Sequence, residues 1–372
     1  MSELATSAGT RRYRDRMSAS CAAGHFRTWP SEGTAPLSLS SIGMGTYTGP
    51  ADDEGDRQYA ESATAAIQSG INVIDCAINY RHMRSERAVG NGLRSLFASG
   101  NVSRDEVLLM TKGGYLPFDA AVPRNVAQYF RKTYIDSGIV KPTELVAGSH
   151  CIAPRYLEDQ LHRSLENLGL PAVDVYFLHN VEQQLDEIEQ EEFEVRVRAA
   201  FEFLETAVTK GLIGLYGAAT WNGFRISAQT RGHLSLERLM AVAQKAGGDG
   251  HHFRVLQLPY NLGMPEAMTQ PTQLVAGKQM PLLEAAATFG LMVVTSVPLL
   301  QTQILPHIPA AFSDGMPGLT TNAQRAIQFA RSTPGVLAPL VGMRHADHVT
   351  ENAAVAGVSP LSAPDFFRLI QG

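Results

Sequence analysis

From residue 38 onward, short apolar stretches alternate with segments in which apolar residues recur at helical spacing. The apolar stretches are short and rich in aliphatic and β-branched residues, which is typical of strands buried in a parallel sheet. We predict eight strands, at residues 39–47, 72–75, 107–111, 173–178, 214–218, 255–258, 292–295 and 336–341. We predict eight helices, near residues 59–68, 85–96, 154–168, 192–210, 235–246, 281–288, 323–331 and 346–355.

Eight strand–helix pairs in alternation are the number that closes a (β/α)8 TIM barrel. An open doubly wound sheet is less favoured, because the turn Gly43-Met-Gly45-Thr46-Tyr47 lacks the third glycine of a dinucleotide-binding fingerprint. The connections after three strands are long, and residues 113–153 form the longest. Inside it, Arg124–Asp136 has a helical pattern with an aromatic stripe, which either walls a substrate pocket at the C-terminal mouth of the barrel or only packs the loop onto the barrel.

The first 36 residues differ in composition from the remainder. They are rich in Ser, Ala, Gly and Arg, and we expect them to be a mobile N-terminal tail. We expect residues 37–372 to form a single barrel domain with long βα loops at its C-terminal face.

Composition excludes several classes of protein. The chain has 372 residues, 44% hydrophobic and 18% charged, with a net charge of −5 and mixed signs throughout, so it carries no basic footprint for nucleic acid. No apolar run is long enough to cross a bilayer. Three widely spaced cysteines, Cys21, Cys76 and Cys151, form neither a disulfide framework nor a zinc pattern. We therefore expect a cytoplasmic protein that has no bound metal and associates with neither nucleic acid nor membrane.

Polar residues follow three of the predicted strands. Asp75 ends the second, Tyr80 stands five residues further on, Lys112 follows the third, and His179 follows the fourth. In a barrel these ends meet at one mouth. A phenol, with an ordinary pKa of about 10, becomes a better acid beside an ammonium that a carboxylate holds in place. An imidazole can hydrogen-bond the oxygen of a carbonyl group. Taken singly, each residue also has a structural interpretation, such as a turn residue or a solvated charge.

These four residues, in this order, resemble the catalytic tetrad of the aldo-keto reductases. The resemblance extends over roughly residues 38–358. The segments that carry it are Ser41–Tyr47, Asp75–Tyr80, Ser85–Gly90, Leu165–Gly169, Val173–Tyr176, Leu178–Asn180, Gln257–Asn261, Pro298–Leu299 and Val341–Asn352. It implies a TIM barrel that binds a nicotinamide cofactor, usually NADPH, and reduces a small-molecule carbonyl substrate. It also implies catalytic roles for Asp75, Tyr80, Lys112 and His179, with Tyr80 as the proton donor.

The resemblance further implies which residues contact the cofactor. The matched positions are Gly45, Thr46, Thr220, Gln257, Ser296, Arg344, His348, Glu351 and Asn352. Gln257 corresponds to a position that meets the nicotinamide carboxamide. Arg344 is the candidate for the 2′-phosphate, because an arginine fork at a helix start suits that group. Glu351 and Asn352 match positions that contact adenine.

Two positions depart from the family pattern. Ala219-Thr220 stands where the family usually has Ser-Asn, and Ser296 stands where it usually has a tyrosine that stacks on the nicotinamide. Trp221 or Tyr47 could supply the missing aromatic surface. The favoured function is an NADPH-dependent reductase of an aldehyde or ketone. The alternative is a nucleotide-binding redox sensor or regulatory subunit with slow turnover, which these departures favour.

A metal-dependent barrel hydrolase is a third, weaker possibility. The histidine groups His251-His252 and His345/His348 do not form a strand-end ligand set with nearby acids. The substrate stays open, because Arg124, Arg131 and Lys132 in the longest loop allow either a hydrophobic or an anionic ketone.

Overall fold

The computed structural model of the protein describes residues 3–31 and 34–371. In chain order the strands are β1 Phe26–Ser31, β2 Thr34–Ser40, β3 Gly43–Gly45, β4 Val73–Asp75, β5 Leu108–Gly113, β6 Val173–His179, β7 Ile213–Ala219, β8 Phe253–Pro259, β9 Gln273–Val275, β10 Lys278–Met280, β11 Met292–Ser296 and β12 Ala338–Gly342. The α-helices are α1 Ser7–Met17, α2 Asp53–Gln68, α3 Arg84–Ala98, α4 Val126–Phe130, α5 Pro154–Leu168, α6 Gln190–Thr209, α7 Leu236–Gly247, α8 Glu266–Thr269, α9 Leu282–Thr288, α10 Ala311–Gly315, α11 Asn322–Ser332, α12 Ala346–Ala353 and α13 Ala363–Gln371. Short 3₁₀ helices lie at Arg104–Glu106, Pro142–Glu144, Val181–Asp186, Leu300–Thr302, Leu305–His307 and Ala354–Gly357, and a π-helix at Arg131–Ile135.

Eight parallel strands close into a barrel in the order β11-β12-β3-β4-β5-β6-β7-β8. This confirms the predicted (β/α)8 fold, and each of the eight predicted strands overlaps one barrel strand. The first is shorter than predicted, because residues 39 and 40 belong to β2 and only Gly43–Gly45 joins the barrel. The side chain of Asn72, directly before β4, holds the end of β2 in place. Its Oδ1 accepts a hydrogen bond from the Ser40 amide, and its Nδ2 donates one to the Ser38 carbonyl.

Apolar side chains fill the lower interior of the barrel. They come from alternate positions of the strands, as the strand period of two requires. The buried set comprises Val73, Leu108, Met110, Val175, Phe177, Val255, Met292, Val294 and Leu340. Trp29 and Leu39, from the antiparallel hairpin of β1 and β2, join the same cluster and close the N-terminal end. The polar strand ends therefore lie at the opposite, open end.

The expectation of a mobile tail over residues 1–36 is wrong for the described part of that segment. It contains α1 and β1, and Thr6 caps the N-terminus of α1, since its Oγ1 accepts a hydrogen bond from the Gly9 amide at 2.9 Å. Tyr13 is fully buried, and Arg12 and Arg16 both pair with the buried carboxylate of Glu106. A few such anchors hold a segment whose composition is that of a tail. Residues 1, 2, 32 and 33 lie outside the described residues.

The longest loop contains the predicted extra helix. Helix α4 continues as the π-helix Arg131–Ile135, and both lie within the predicted range Arg124–Asp136. Tyr134 is fully buried and meets Tyr156 of α5 edge to face at 5.8 Å. Tyr134 therefore packs this segment onto the barrel, whereas Val126 and Phe130 line a separate cavity of about 740 Å³. Over the described residues, none of the helices combines the length and apolar character needed to span a membrane.

Candidate active site

Three neighbouring strands bring the four strand-end residues together. Because β4, β5 and β6 are adjacent and parallel, Asp75, Lys112 and His179 reach the same mouth. Lys112 is fully buried, and its Nζ donates to Asp75 Oδ2 at 2.6 Å, to the Tyr80 hydroxyl at 3.0 Å and to the Cys76 carbonyl at 2.8 Å. An ammonium has three donors, and each one has an acceptor here. Burial alone lowers the pKa of Lys112, but the charges of Asp75 and Tyr80 raise it overall, so the ammonium stays charged.

The second oxygen of Asp75 has its own partner. Gln257 on β8 donates from Nε2 to Asp75 Oδ1 at 2.9 Å across the barrel mouth. The Thr46 hydroxyl donates to the backbone carbonyl of Asp75 at 2.9 Å. Asp75 thus holds Lys112 with one oxygen and Gln257 with the other, and it is almost fully buried.

Tyr80 remains protonated at neutral pH. Desolvation raises the pKa of its phenol to about 12, against the opposing effect of Lys112. The ammonium acts in the direction expected from the sequence, but the desolvation cost is larger. The hydroxyl therefore keeps its proton, and the Lys112 ammonium lies 3.0 Å from it.

His179 is a neutral imidazole at the same mouth. Desolvation, followed by the charges of Lys112 and His150, holds the pKa of His179 well below its usual value. Its ring lies edge to face with Tyr80 at 5.8 Å and with Tyr115 at 5.2 Å. A neutral imidazole can donate one N–H to a carbonyl oxygen without competing for the proton.

A cleft of about 820 Å³ extends from this network to the start of α12. The nine predicted cofactor residues all line it: Gly45, Thr46, Thr220, Gln257, Ser296, Arg344, His348, Glu351 and Asn352. Asp75, Tyr80 and His179 also line it, whereas Lys112 lies behind Asp75 and Tyr80 and is not part of the wall. Arg124, Arg131 and Lys132 are not among the lining residues.

Several lining residues were missed by the sequence reasoning. Tyr115 follows Lys112 by three residues and accepts a hydrogen bond from Asn180 Nδ2 at 3.0 Å. His345 lies beside Arg344, with its Nε2 2.9 Å from Arg344 Nη2. Tyr115 could have been predicted to line the cleft because it follows a strand end. Side chains in loops, however, have no periodicity that predicts the direction in which they point.

The two departures from the family pattern both line the cleft, at the ends of β7 and β11, the two strands that flank β8. Thr220 is held by its backbone amide, which donates to the Gln257 carbonyl at 2.8 Å. Ser296 brings no ring to the cleft, but Tyr47 and Trp221 line it and are 60% and 45% exposed. Aromatic surface is therefore available near the tetrad even without a tyrosine at position 296.

Arg344 provides a cation at the far end of the cleft. Among the described residues, no carboxylate lies within ion-pair distance of its guanidinium, whose side-chain partner is the His345 imidazole. It is half-buried, and its side chain lies next to Gly49 of the lining. A guanidinium that lacks a carboxylate partner and faces a cleft suits a phosphate group. Within residues 3–31 and 34–371, no three His, Cys, Asp or Glu side chains group as metal ligands.

Two loops at the mouth of the cleft contain runs of left-handed backbone. Arg81, His82 and Met83, directly after Tyr80, have φ values of 49°, 59° and 68°. Leu300, Gln301 and Thr302 have φ values of 45°, 51° and 70°. Such conformations are unfavourable for non-glycine residues and concentrate at functional sites.

The sequence model of the Aldo/keto reductase family matches residues 41–232, just over half of the chain. The chain therefore belongs to the aldo/keto reductase family.

Two curated relatives match shorter stretches. The "NADH-specific methylglyoxal reductase" of Escherichia coli (strain K12) is 30% identical over 152 residues, which is 40% of each chain. "Aldose reductase B" of Dictyostelium discoideum is 23% identical over 198 residues, 50% of each chain. The chain thus matches no more than about half the length of these relatives.

Solved structures match over nearly the whole chain. An aldo/keto reductase from Klebsiella pneumoniae in complex with NADP and acetate has a TM-score of 0.60 and 21% identity, over 90% of this chain and 92% of its own. The glycerol dehydrogenase of Gluconobacter oxydans has a TM-score of 0.62 and 17% identity, over 94% and 95%. At these identities the likeness shows the shared barrel fold.

Proposed function

We propose that the protein is an NADPH-dependent reductase that converts an aldehyde or ketone to an alcohol, with Tyr80 as the proton donor. The observation that carries the proposal is the contact of one buried ammonium, Lys112 Nζ, with both the Asp75 carboxylate and the Tyr80 hydroxyl. This arrangement stabilises a phenolate at the moment a proton leaves Tyr80. The three free cysteines support our expectation of a reducing, cytoplasmic location.

Each residue of the tetrad has one task in this reaction. Neutral His179 donates a hydrogen bond that orients the carbonyl oxygen of the substrate. Tyr80 gives its proton to that oxygen, and Lys112 stabilises the phenolate that remains. Asp75 keeps Lys112 charged and in position. When bound, NADPH supplies the hydride that adds to the carbonyl carbon.

The cofactor would be held along the cleft by the nine lining residues named above. Gln257 lies at the tetrad end, where it would meet the nicotinamide carboxamide, and Glu351 and Asn352 lie at the adenine end. Arg344, with no carboxylate partner among the described residues, would contact the 2′-phosphate. The Klebsiella pneumoniae structure in complex with NADP supports NADPH, whereas the Escherichia coli relative is named NADH-specific. We favour NADPH because NADH would leave the Arg344 charge without a partner.

The cleft favours an uncharged carbonyl substrate. Around Tyr80 and His179 the wall consists of aromatic and amide side chains, including Tyr115 and Asn180. The sequence allowed an anionic substrate because of three cations in the longest loop, Arg124, Arg131 and Lys132. None of them lines the cleft, and Arg131 pairs with Asp136 within the loop. An anionic substrate would lose its hydration at the tetrad end without gaining a cation there.

Rapid mixing of the protein with NADPH and a panel of aldehydes tests the proposal. We expect oxidation of NADPH, followed at 340 nm, with an uncharged aldehyde such as 4-nitrobenzaldehyde and slower oxidation with 4-carboxybenzaldehyde. Methylglyoxal belongs in the panel because of the relative's name. NADPH binding without oxidation by any substrate contradicts the reductase proposal.

A redox sensor or regulatory subunit with slow turnover is the second candidate. The observation that favours it is the hydrogen bond from Gln257 Nε2 to Asp75, because it engages the side-chain amide that we expect to bind the nicotinamide carboxamide. In addition, position 296 of the cleft has a serine and no stacking ring. Tight cofactor binding with turnover limited by release would support this candidate in the same rapid-mixing experiment.

A further inference from the structure

The turn that follows Tyr80 is unusual in its backbone. Arg81, His82 and Met83 are consecutive left-handed residues, and none of them is glycine. A left-handed residue with a Cβ costs roughly 1–2 kcal/mol. A run of three survives only where surrounding contacts hold it in place. The side chain of Arg81 supplies such contacts.

Arg81 binds the loop that joins β3 to α2. Its side chain is 1% exposed, its Nε donates to the Pro50 carbonyl at 2.8 Å, and its Nη2 pairs with Asp56 Oδ1 at 2.7 Å. Nη2 also donates to the Asp52 carbonyl at 3.3 Å. The guanidinium lies 5.0 Å from the centre of the Tyr59 ring. One planar group thus fastens two backbone carbonyls and a carboxylate, a geometry that lysine cannot reproduce.

This loop forms part of the wall of the cleft next to the tetrad. Tyr47, Thr48 and Gly49 all line the cleft, and the Tyr47 ring lies 5.1 Å from the Tyr80 ring, edge to face. The Arg81 side chain therefore links the backbone that carries Tyr80 to the backbone that carries Tyr47. The link is buried and polar, so its loss leaves carbonyls and a carboxylate without their partner.

We propose that Arg81 is a positioning residue, which fixes the Tyr80 hydroxyl relative to the wall formed by Tyr47 by holding the left-handed turn against the β3–α2 loop. The proposal rests on the proposed role of Tyr80 as proton donor. It assigns the effect to the guanidinium, because the backbone conformation at Arg81 would be easier for glycine than for arginine.

The chain offers a matched control in Arg84. Its guanidinium also pairs with Asp56, at 2.7 Å to Oδ2, and with Asp53. The described contacts of Arg84 are to these carboxylates of α2 and not to the loop carbonyls. Arg84→Met thus removes a charge and an ion pair with Asp56 while leaving the link between the two loops.

Arg81→Gly, Arg81→Lys and Arg84→Met are compared with the unaltered protein for kcat and for the Kd of NADPH by fluorescence. We expect kcat of Arg81→Gly and Arg81→Lys to fall by about tenfold to a hundredfold, the size of effect that misplacement of a reacting group by ~1 Å can produce. The Kd of NADPH should stay within about twofold, and Arg84→Met should keep kcat within about threefold, because the ion pairs of Arg84 with Asp53 and Asp56 do not hold the loop that carries Tyr47. If the role of Arg81 is purely structural, the Arg81 variants should have lower thermal stability but an unchanged kcat per active site, where the active sites are counted by titration with NADPH. Normal kcat in Arg81→Gly overturns the proposal.

Hydrogen–deuterium exchange gives a readout that does not need turnover. In Arg81→Gly, peptides covering residues 46–52 and 80–84 should exchange faster together, whereas Arg84→Met should leave 46–52 unchanged. Unchanged exchange in both segments of Arg81→Gly overturns the proposal even if the protein shows no reductase activity. Absence of turnover in the unaltered protein contradicts the proposed function and leaves this exchange test decisive for the link. If Arg81→Gly fails to fold, kcat and hydrogen–deuterium exchange are measured on Arg81→Lys, which keeps the positive charge near Asp56, and these results decide the proposal.

Discussion

The two ends of the cleft are built in opposite ways. At the tetrad end, a buried ammonium satisfies three acceptors, and the carboxylate of Asp75 accepts from both Lys112 and Gln257. At the far end, the guanidinium of Arg344 is half-buried and touches the neighbouring His345 ring. The first end is complete in the protein alone, whereas the second has a charge to which a ligand can bind. The chemistry of the site is therefore preorganised, and its cofactor preference depends on contacts made only on binding.

This difference sets the size of the effects expected from substitutions. Removing one member of a buried pair leaves an uncompensated charge in a desolvated place, so both stability and activity suffer. Removing the half-exposed charge of Arg344 leaves no buried charge without a partner and removes one contact to the part-exposed His345 ring, so the main effect falls on the ligand that Arg344 contacts.

The largest effect is expected for Lys112→Met. The substitution strands the Asp75 carboxylate, which is almost fully buried, at a cost of about 3–5 kcal/mol in the free energy of unfolding. It also removes the cation that stabilises the phenolate, so activity should be lost. Urea unfolding and steady-state kinetics measure the two effects. A raised melting temperature with persisting turnover would mean that the tetrad end is not a coupled unit.

Tyr80→Phe should separate activity from stability at that end. It removes the proposed proton donor and one acceptor of Lys112, whose other two acceptors remain. General acid catalysis is typically worth about 10²–10⁴ in rate, so kcat should fall by that factor while NADPH affinity changes little. Kinetics beside cofactor fluorescence test this expectation. A variant within about twofold of normal kcat excludes Tyr80 as the acid.

Arg344→Ala tests the far end of the cleft. We expect NADPH binding to weaken by about 1.5–3 kcal/mol, the range for hydrogen bonds to charged groups, while NADH affinity and protein stability stay nearly unchanged. Titration of both cofactors against both proteins measures the difference. Equal losses for NADPH and NADH would mean that Arg344 supports the local fold and does not bind the 2′-phosphate.

The smallest effect is expected from pH. The pKa of Tyr80 is raised to about 12, so its donor form persists until the pH approaches that value, and the lowered pKa of His179 keeps this ring neutral even at pH values below its usual pKa. Between pH 6 and 9 the rate of carbonyl reduction should vary by less than about twofold, because neither group changes charge there. A profile of kcat/KM at saturating NADPH that falls with an apparent pKa near 7 would show that a different group donates the proton.

The parts of the molecule that the sequence predicted are those governed by periodicity. Eight apolar runs alternating with amphipathic helices were enough for the barrel, and the polar residue after each run was enough to place Asp75, Lys112 and His179 at one mouth. Both inferences depend on the strand period and on the parallel direction of neighbouring strands. Neither depends on side-chain detail.

What the sequence did not predict depends on long-range contacts. Trp29 and Tyr13 anchor an N-terminal segment whose average composition resembles a tail. The contact of Gln257 with Asp75 joins residues on β8 and β4, and the link from Arg81 to Pro50 joins two loops. No local pattern predicts such pairs, because each one is set by the closure of the barrel and the conformation of its loops.

The shared carboxylate of Asp75 limits how independently the site can change. An exchange at Gln257 that aims to alter recognition of the carboxamide also removes a hydrogen bond from the carboxylate that holds Lys112. The effects of substitutions at Gln257 and Lys112 on activity should therefore be non-additive. For protein engineering this means that the proposed cofactor recognition by Gln257 and the acidity of Tyr80 should be coupled traits, whereas Arg344, which has no such shared partner among the described residues, should be open to variation alone.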